Sequence, residues 1–161
     1  MISFLNKKYA QLGDPTFFRL APVLCFLSDI LVFYYVINKQ LPKMLGAKTV
    51  KFAITMQNAS VARNMTQTDF EDISLLMQNQ IAFALSLFLV FHVIIYSLAA
   101  FKKKWPLKYI SNYTFFGVIL TVIEVLMIFF QKGTISPYTF VSLLGYGFVY
   151  FGYKYFRKLE R

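Results

Sequence analysis

The chain has 161 residues, of which 58% are hydrophobic and 15% charged, with 17 Lys and Arg against 7 Asp and Glu. This composition excludes an ordinary soluble domain, and the length excludes several domains. The single cysteine, Cys25, lies in an apolar run, so the sequence supports neither an internal disulfide framework nor a cysteine-rich metal site.

Four long apolar runs account for most of the chain, at residues 16–37, 81–101, 109–130 and 138–156. A bilayer core about 30 Å thick needs on the order of 20 residues of helix at about 1.5 Å per residue. The first three runs reach that length, and the fourth barely does. The sequence therefore predicts an all-α fold, a single polytopic membrane domain that forms a four-helix transmembrane bundle.

Residues 38–80 form the only substantial extramembrane segment between these runs. Alternating apolar and polar side chains at residues 50–56 indicate a half-exposed strand, although so short a stretch could equally be helical. Residues 57–68 are polar and predict a loop. The pattern Thr68-x-x-Glu71 resembles a capping box, which predicts one helix from about residue 69 through the second run to residue 101.

Proline and serine mark the ends of the last two helices. Residues 102–106 predict a tight basic turn, because Pro106 cannot continue a preceding helix. Ser136 and Pro137 suit the N-cap and first helical positions of the fourth helix.

Most cations lie at the ends of the apolar runs, which is typical of membrane topology signals and not of a nucleic-acid-binding surface. Their distribution predicts a protein of the cytoplasmic or plasma membrane with both termini in the cytoplasm and residues 38–80 outside. The bilayer and its anionic lipids are the expected partners. The predicted headgroup anchors are Arg19, Lys102, Lys103, Lys104, Trp105, Arg157 and Lys158.

Three runs each carry one titratable residue near the middle, namely Asp29, His92 and Glu124. Helical spacing predicts that they fall in one layer on the order of 8 Å thick, where they could relay protons or bind a cation. Thr121 and Tyr96 share helix faces with Glu124 and His92, so they could extend a polar path. Alternatively, these groups only hydrogen-bond one another and hold the bundle together.

The fourth run has no charge at its centre but carries small residues at helical spacing. Ser142, Gly145 and Gly152 share one face, which would let another helix approach closely. This face could pack within the chain or form an oligomer contact.

Catalysis is not indicated, because no nucleophile, zinc-protease or phosphate-loop motif occurs in the sequence. We expect no cofactor, no metal and no nucleic acid. Two hypotheses remain. One is an ion- or proton-transporting component that works as an oligomer. The other is a non-catalytic scaffold or assembly subunit, which binds a membrane-protein partner through the outer segment and the fourth helix.

Overall fold

The computed structural model describes residues 2–101, 104–130 and 135–159, and these ranges are helical with short connections. A single π-helical turn, Val36–Gln40, separates the second helix from the third. The helices are α1 (Ile2–Leu12), α2 (Asp14–Tyr35), α3 (Leu41–Met44), α4 (Ala47–Gln57), α5 (Ala59–Asn64), α6 (Gln67–Ala100), α7 (Lys104–Phe130) and α8 (Pro137–Leu159).

Within the described residues, three helical segments are long and apolar enough to cross a membrane: Asp14–Met44, Gln67–Ala100 and Trp105–Phe130. Only 11% of the most apolar stretch of Trp105–Phe130 is buried inside the protein, so most of its side chains face outward. Apolar surface of this extent is expected to contact lipid. Three of the four predicted spans thus have the length and composition of membrane helices. The fourth, α8, has 23 residues and packs against α7.

The chain divides into two compact units. The first consists of Met1–Val32 and Val90–Arg161, and its core is largely aromatic. Phe17 at the start of α2 lies against Tyr153 and Phe156 of α8, with ring centroids 5.5 Å and 5.0 Å apart. These contacts join α2 to the carboxyl end of α8.

The amino-terminal segment forms the amphipathic helix α1, which the sequence patterns above did not predict. Gly13 separates α1 from α2 and has a φ of +74°, a conformation that a residue with a Cβ rarely adopts. The buried Tyr9 donates a hydrogen bond of 2.6 Å to the carbonyl of Phe148, while Lys7 and Lys8 remain exposed. A buried hydroxyl with a partner therefore fixes α1 against α8.

The second unit is Phe33–Leu89, and its small core contains Val50, Ala62 and Phe70. Of the two alternatives left open for residues 50–56, a half-exposed strand and a helix, the helix is the one observed, because α4 covers this stretch. The predicted loop at residues 57–68 is partly wrong, since α5 lies within it. In α4, the helical spacing of Val50 and Ile54 places both against the core, a pairing that the two-residue alternation concealed.

The predicted long helix is confirmed, but its cap lies two residues earlier than expected. Thr66 Oγ1 accepts from the amide of Asp69 at 3.3 Å, and Asp69 Oδ2 accepts from the amide of Thr66 at 2.7 Å. These reciprocal bonds form a capping box at Thr66-x-x-Asp69 instead of Thr68-x-x-Glu71. The hydrogen bonds from Thr66 lower the pKa of Asp69.

Acidification should loosen this cap. Because the pKa of Asp69 is lower in the folded protein than in the unfolded chain, its stabilising effect is complete above the unfolded value of about 4 and is lost as the pH falls through the folded value. We expect Thr66→Ala to accelerate amide exchange over the first turn of α6 at pH 7. In the parent, a comparable fall in the protection factors of these amides, which correct for the slower intrinsic exchange in acid, should occur only as the pH falls through the folded pKa of Asp69. Equal exchange in parent and variant at pH 7 would contradict the assigned cap.

The observed starts of the last two helices agree only partly with those predicted from the sequence. The predicted turn is wrong at residues 104–106, because α7 begins at Lys104 and Pro106 lies in its first turn, where a missing N–H is tolerated. Residues 102 and 103 of the predicted turn lie outside the described residues. The predicted start of the fourth helix is confirmed, because α8 begins at Pro137 and Ser136 Oγ accepts from the amide of Tyr138 at 3.3 Å.

Candidate functional site: a buried aspartate held by three tyrosines

The carboxyl group of Asp29 is the centre of the polar interior of the first unit. Asp29 lies on α2 and is fully buried. Tyr113 of α7 and Tyr146 of α8 donate hydrogen bonds to Oδ1 at 2.7 Å and 2.6 Å, and Tyr96 of α6 donates to Oδ2. A carboxyl group offers about four acceptor positions, so three donors occupy most of them. One side chain thus joins α2 to three other helices.

His92 extends this cluster on one side. It is fully buried, and its ring lies 4.5 Å from the ring of Tyr113, centroid to centroid. The hydroxyl of Tyr109 lies 3.1 Å from His92 Nε2. Tyr109 and Tyr113 stack on each other, one turn apart on α7. We call Asp29, His92 and the tyrosines 96, 109, 113 and 146 the tyrosine–aspartate cluster.

The structure thus brings together three of the predicted site residues, Asp29, His92 and Tyr96. Thr121 points to its own helix, because its hydroxyl donates to the carbonyls of Gly117 and Val118 at 2.7 Å and 3.1 Å. It therefore does not extend the predicted polar path.

Glu124 is half-buried and lies far along α7 from this cluster. It follows Tyr113 by eleven residues on the same helix, which corresponds to roughly 16 Å. The part of α7 that contacts Asp29 is therefore the turn that carries Tyr113, and Glu124 lies about three turns further along the helix. This spacing separates Glu124 from the layer in which the sequence analysis placed it with Asp29 and His92.

Sequence reasoning missed Tyr109, Tyr113 and Tyr146. Membrane helices contain many aromatic residues, for which lipid contact and packing are the common roles, so spacing within one helix does not distinguish these three tyrosines. One signal was available, since an acid inside a membrane helix needs donors from neighbouring helices. Tyrosine is a suitable donor, because its apolar ring is tolerated in the interior while its hydroxyl reaches a partner.

The small-residue face of α8 packs against α2 within the chain. A Cβ added at Gly145 would collide with the Ser28 side chain, and one added at Gly152 would collide with the ring of Phe17. Ser142 Oγ donates to the carbonyl of Ser28 at 3.3 Å. Of the two interpretations left open for this face, packing inside the chain is the one observed.

The side chains of three predicted headgroup anchors, Arg19, Trp105 and Arg157, are exposed in the structure. Arg19 lines a crevice of about 280 Å³ that also involves Tyr96. Lys102 and Lys103 lie outside the described residues, and the side chains of Lys104 and Lys158 are likewise not described.

The chemistry available to the cluster is hydrogen bonding between buried groups. Among the described residues, no three His, Cys, Asp or Glu side chains are grouped closely enough to hold a metal ion. The wall of neither described cavity contains Asp29 or His92. Asp29 has no exposed surface, and its carboxyl oxygens accept hydrogen bonds from tyrosines on three other helices.

Comparison with known proteins gives no family assignment for this chain. No protein-family model, no curated protein and no solved structure matches it significantly. Its function is therefore inferred from the chemistry and packing described above.

Proposed function

We propose that the protein is a non-catalytic membrane scaffold or assembly subunit, with four membrane-spanning helices and both termini on the cytoplasmic side. The observation that carries this proposal is the complete burial of Asp29 with three tyrosine donors. A transport site must exchange ions or protons with water, whereas this carboxyl group is enclosed and bonded to donors on three helices. In this proposal the cluster holds α2, α6, α7 and α8 together and keeps the helix bundle rigid.

The second unit supplies the surface on which a partner would bind. Phe52 and Met56 lie one turn apart on α4 and are 63% and 72% exposed. They lie away from the face that carries Val50 into the core. In the proposed topology this helix is outside the bilayer, where the two side chains together present contiguous apolar surface that a partner would cover. We call Phe52 and Met56 the α4 apolar pair.

Charge placed on the α4 apolar pair should release the partner. We expect Phe52→Glu combined with Met56→Glu to abolish co-purification of a partner membrane protein, because a carboxylate cannot be buried against an apolar surface without a large desolvation cost. The measurement is quantitative mass spectrometry of proteins cross-linked in native membranes and purified with the chain. Reciprocal purification through the partner then identifies a specific complex.

Ala53→Glu combined with Gln57→Glu is the matched control, because it adds two negative charges, one turn apart, at exposed positions of the same helix. This control should retain the partner. A partner retained by the double variant, or lost equally from the control, would contradict the proposed surface. Helical circular dichroism of both variants in detergent should match that of the parent, since neither Phe52 nor Met56 contributes to a core.

Ion or proton transport through Asp29, His92 and Glu124 is the second candidate. The observation in its favour is the connection of His92, the only histidine, to Asp29 through the aromatic ring and hydroxyl of Tyr113. Histidine exchanges protons near neutral pH. Reconstitution into liposomes tests this alternative: a pH-dependent flux abolished by His92→Gln would support it and would contradict an exclusively structural role for the cluster.

A further inference from the structure

Residues 41–64, which include α3, α4 and α5, form a strongly basic part of the second unit. They contain four cations, Lys43, Lys48, Lys51 and Arg63, and no aspartate or glutamate. All four of these side chains are exposed. The acids of the second unit lie in the first two turns of α6. A surface with one sign of charge favours a partner of the opposite sign.

One of these cations lies beside the α4 apolar pair. Lys48, Phe52 and Met56 follow one another at intervals of four residues, so they share one face of α4. Together they cover about 12 Å along the helix. Val50 and Ile54 lie on the opposite face, against the core. We call Lys48, Phe52 and Met56 the α4 outer face, which presents an apolar pair with a cation at its amino-terminal end.

Lys51 lies on the same helix but has different surroundings. Its ammonium group is 5.6 Å from the centroid of the Phe70 ring, and Phe70 is part of the core of the second unit. This cation is therefore directed towards α6. Lys51 is thus a matched control for Lys48, because it is the same residue type on the same helix with a different neighbour.

The contacts between α4 and α6 determine the direction in which α4 runs. Just before α4, the carbonyl of Leu45 accepts hydrogen bonds from Ser74 and Gln78 of α6. Six residues later, Lys51 lies over Phe70, which is an earlier residue of α6. The chain therefore runs along α6 towards its amino-terminal end, away from the apolar part of that helix.

This direction places the α4 outer face at a distance from the bilayer in the proposed topology. There the hydrocarbon core begins near Ile81, eleven residues after Phe70 on α6, a separation of roughly 16 Å. The headgroup layer adds only about 5–8 Å to each side of the core. Phe52 and Met56 follow Lys51 along α4, so they lie beyond the lipid headgroups. These positions favour a protein over a membrane surface as the occupant.

The outer face also indicates the chemistry of that protein. Phe52 and Met56 expose apolar surface that apolar side chains of a partner would cover. The Lys48 ammonium group, one turn away, would then border the contact and lose part of its hydration unless a carboxylate pairs with it. Charge pairs at the border of an interface speed association and set the orientation of the partner.

We propose that the α4 outer face binds an acidic segment of a partner protein, whose apolar side chains cover Phe52 and Met56 and whose carboxylate pairs with Lys48. This proposal rests on the proposed function and adds to it the chemistry of the partner. The apolar contact holds the partner, and the charge pair orients it.

Cross-linking with a water-soluble carbodiimide in native membranes tests the charge pair. The reagent activates a carboxyl group, the lysine amine attacks it, and an amide forms while the reagent leaves as a urea. Because the product has no spacer, it forms only where the two groups touch. Mass spectrometry should find Lys48 joined to an aspartate or glutamate of the partner in the parent, and not in Phe52→Glu combined with Met56→Glu. Lys51 should not be joined to the partner.

Two lysine variants measure the contribution of the charge to binding of the partner that reciprocal purification identifies. Lys48→Gln should lower the affinity by about threefold at low salt, the effect of one exposed ion pair. High salt should remove this difference, because it screens exposed charges. Lys51→Gln should leave the affinity unchanged. The control charges at positions 53 and 57 lie about 100° and 140° around α4 from Phe52, so physiological salt largely screens them from the partner.

Absence of a cross-link between Lys48 and a partner carboxylate would overturn the proposal, as would equal effects of Lys48→Gln and Lys51→Gln. A nitroxide attached through Met56→Cys detects a lipid occupant, because Cys25 is fully buried and is not reached by the reagent. Faster relaxation of the nitroxide by oxygen than by a water-soluble nickel complex would assign the face to lipid and overturn the proposal. Failure of the proposed function is recognised separately, by retention of the partner in Phe52→Glu combined with Met56→Glu.

Discussion

Asp29→Ala is expected to lower the free energy of unfolding by about 2–5 kcal/mol, because several buried donors lose their acceptor at once. The substitution leaves the hydroxyls of Tyr96, Tyr113 and Tyr146 without their acceptor in the interior. An interhelical hydrogen bond in a membrane protein contributes about 0.6–1.7 kcal/mol, and leaving a buried donor unpaired costs about 1–3 kcal/mol. Unfolding in mixed micelles, followed by circular dichroism, measures the loss.

A combined variant separates the hydrogen bonds from simple loss of volume. Asp29→Leu together with Tyr96→Phe, Tyr113→Phe and Tyr146→Phe removes the acceptor and all three donors. Because the three hydroxyl donors are removed together with their acceptor, most of the stability lost in Asp29→Ala should return. Asp72→Ala is the acidic control, because Asp72 is exposed on α6, and it should change stability by less than about 1 kcal/mol. An Asp29→Ala variant as stable as the parent would show that the cluster does not hold the bundle together.

Gly152→Ala is expected to lower the free energy of unfolding by about 1–3 kcal/mol, the usual cost of overpacking. The added methyl group would overlap the ring of Phe17, which is fully buried. That ring cannot move easily, because Phe18, Tyr153 and Phe156 surround it, with centroids 5.0–5.5 Å away. The collision must therefore push α8 away from α2.

Gly147→Ala is the matched control on the same helix. No atom lies within 4 Å of the added methyl group, so the only expected effect is the gain of about 0.5–1 kcal/mol from replacing a helical glycine. The two alanine variants should thus change stability in opposite directions in the same unfolding assay. Similar effects at the two positions would mean that the contact between Gly152 and Phe17 does not determine how α8 packs.

The sequence predicted the main helices because their signals are local. Run length and hydropathy identified the three segments that contain α2, α6 and α7, and Ser136 with Pro137 located the start of α8. Sequence patterns did not distinguish strand from helix where a stretch of a few residues fits both a two-residue and a four-residue apolar repeat. In residues 50–56, Val50 and Ile54 fit both a two-residue and a four-residue repeat, and only packing against Phe70 selected the helix.

The candidate site also has residues that local spacing identifies and residues that only packing between helices identifies. The sequence by itself identified Asp29 and His92, because a titratable side chain in the middle of an apolar run is costly and needs a reason to be there. It also placed Tyr96 beside His92, since residues four apart share a helix face. Each of these inferences uses spacing within one helix.

Only the tertiary structure selected the partners of Asp29. Tyr113 and Tyr146 are two of eleven tyrosines in the chain, and nothing local distinguishes them from those that face outward. Their role depends on how α7 and α8 are rotated and offset against α2, which is set by side-chain packing between distant parts of the chain. The same packing set Glu124 apart, although its position within its own apolar run resembles that of Asp29. Hydropathy and spacing therefore determined that the chain forms membrane helices with buried polar groups, and interhelical packing decided which of those groups meet.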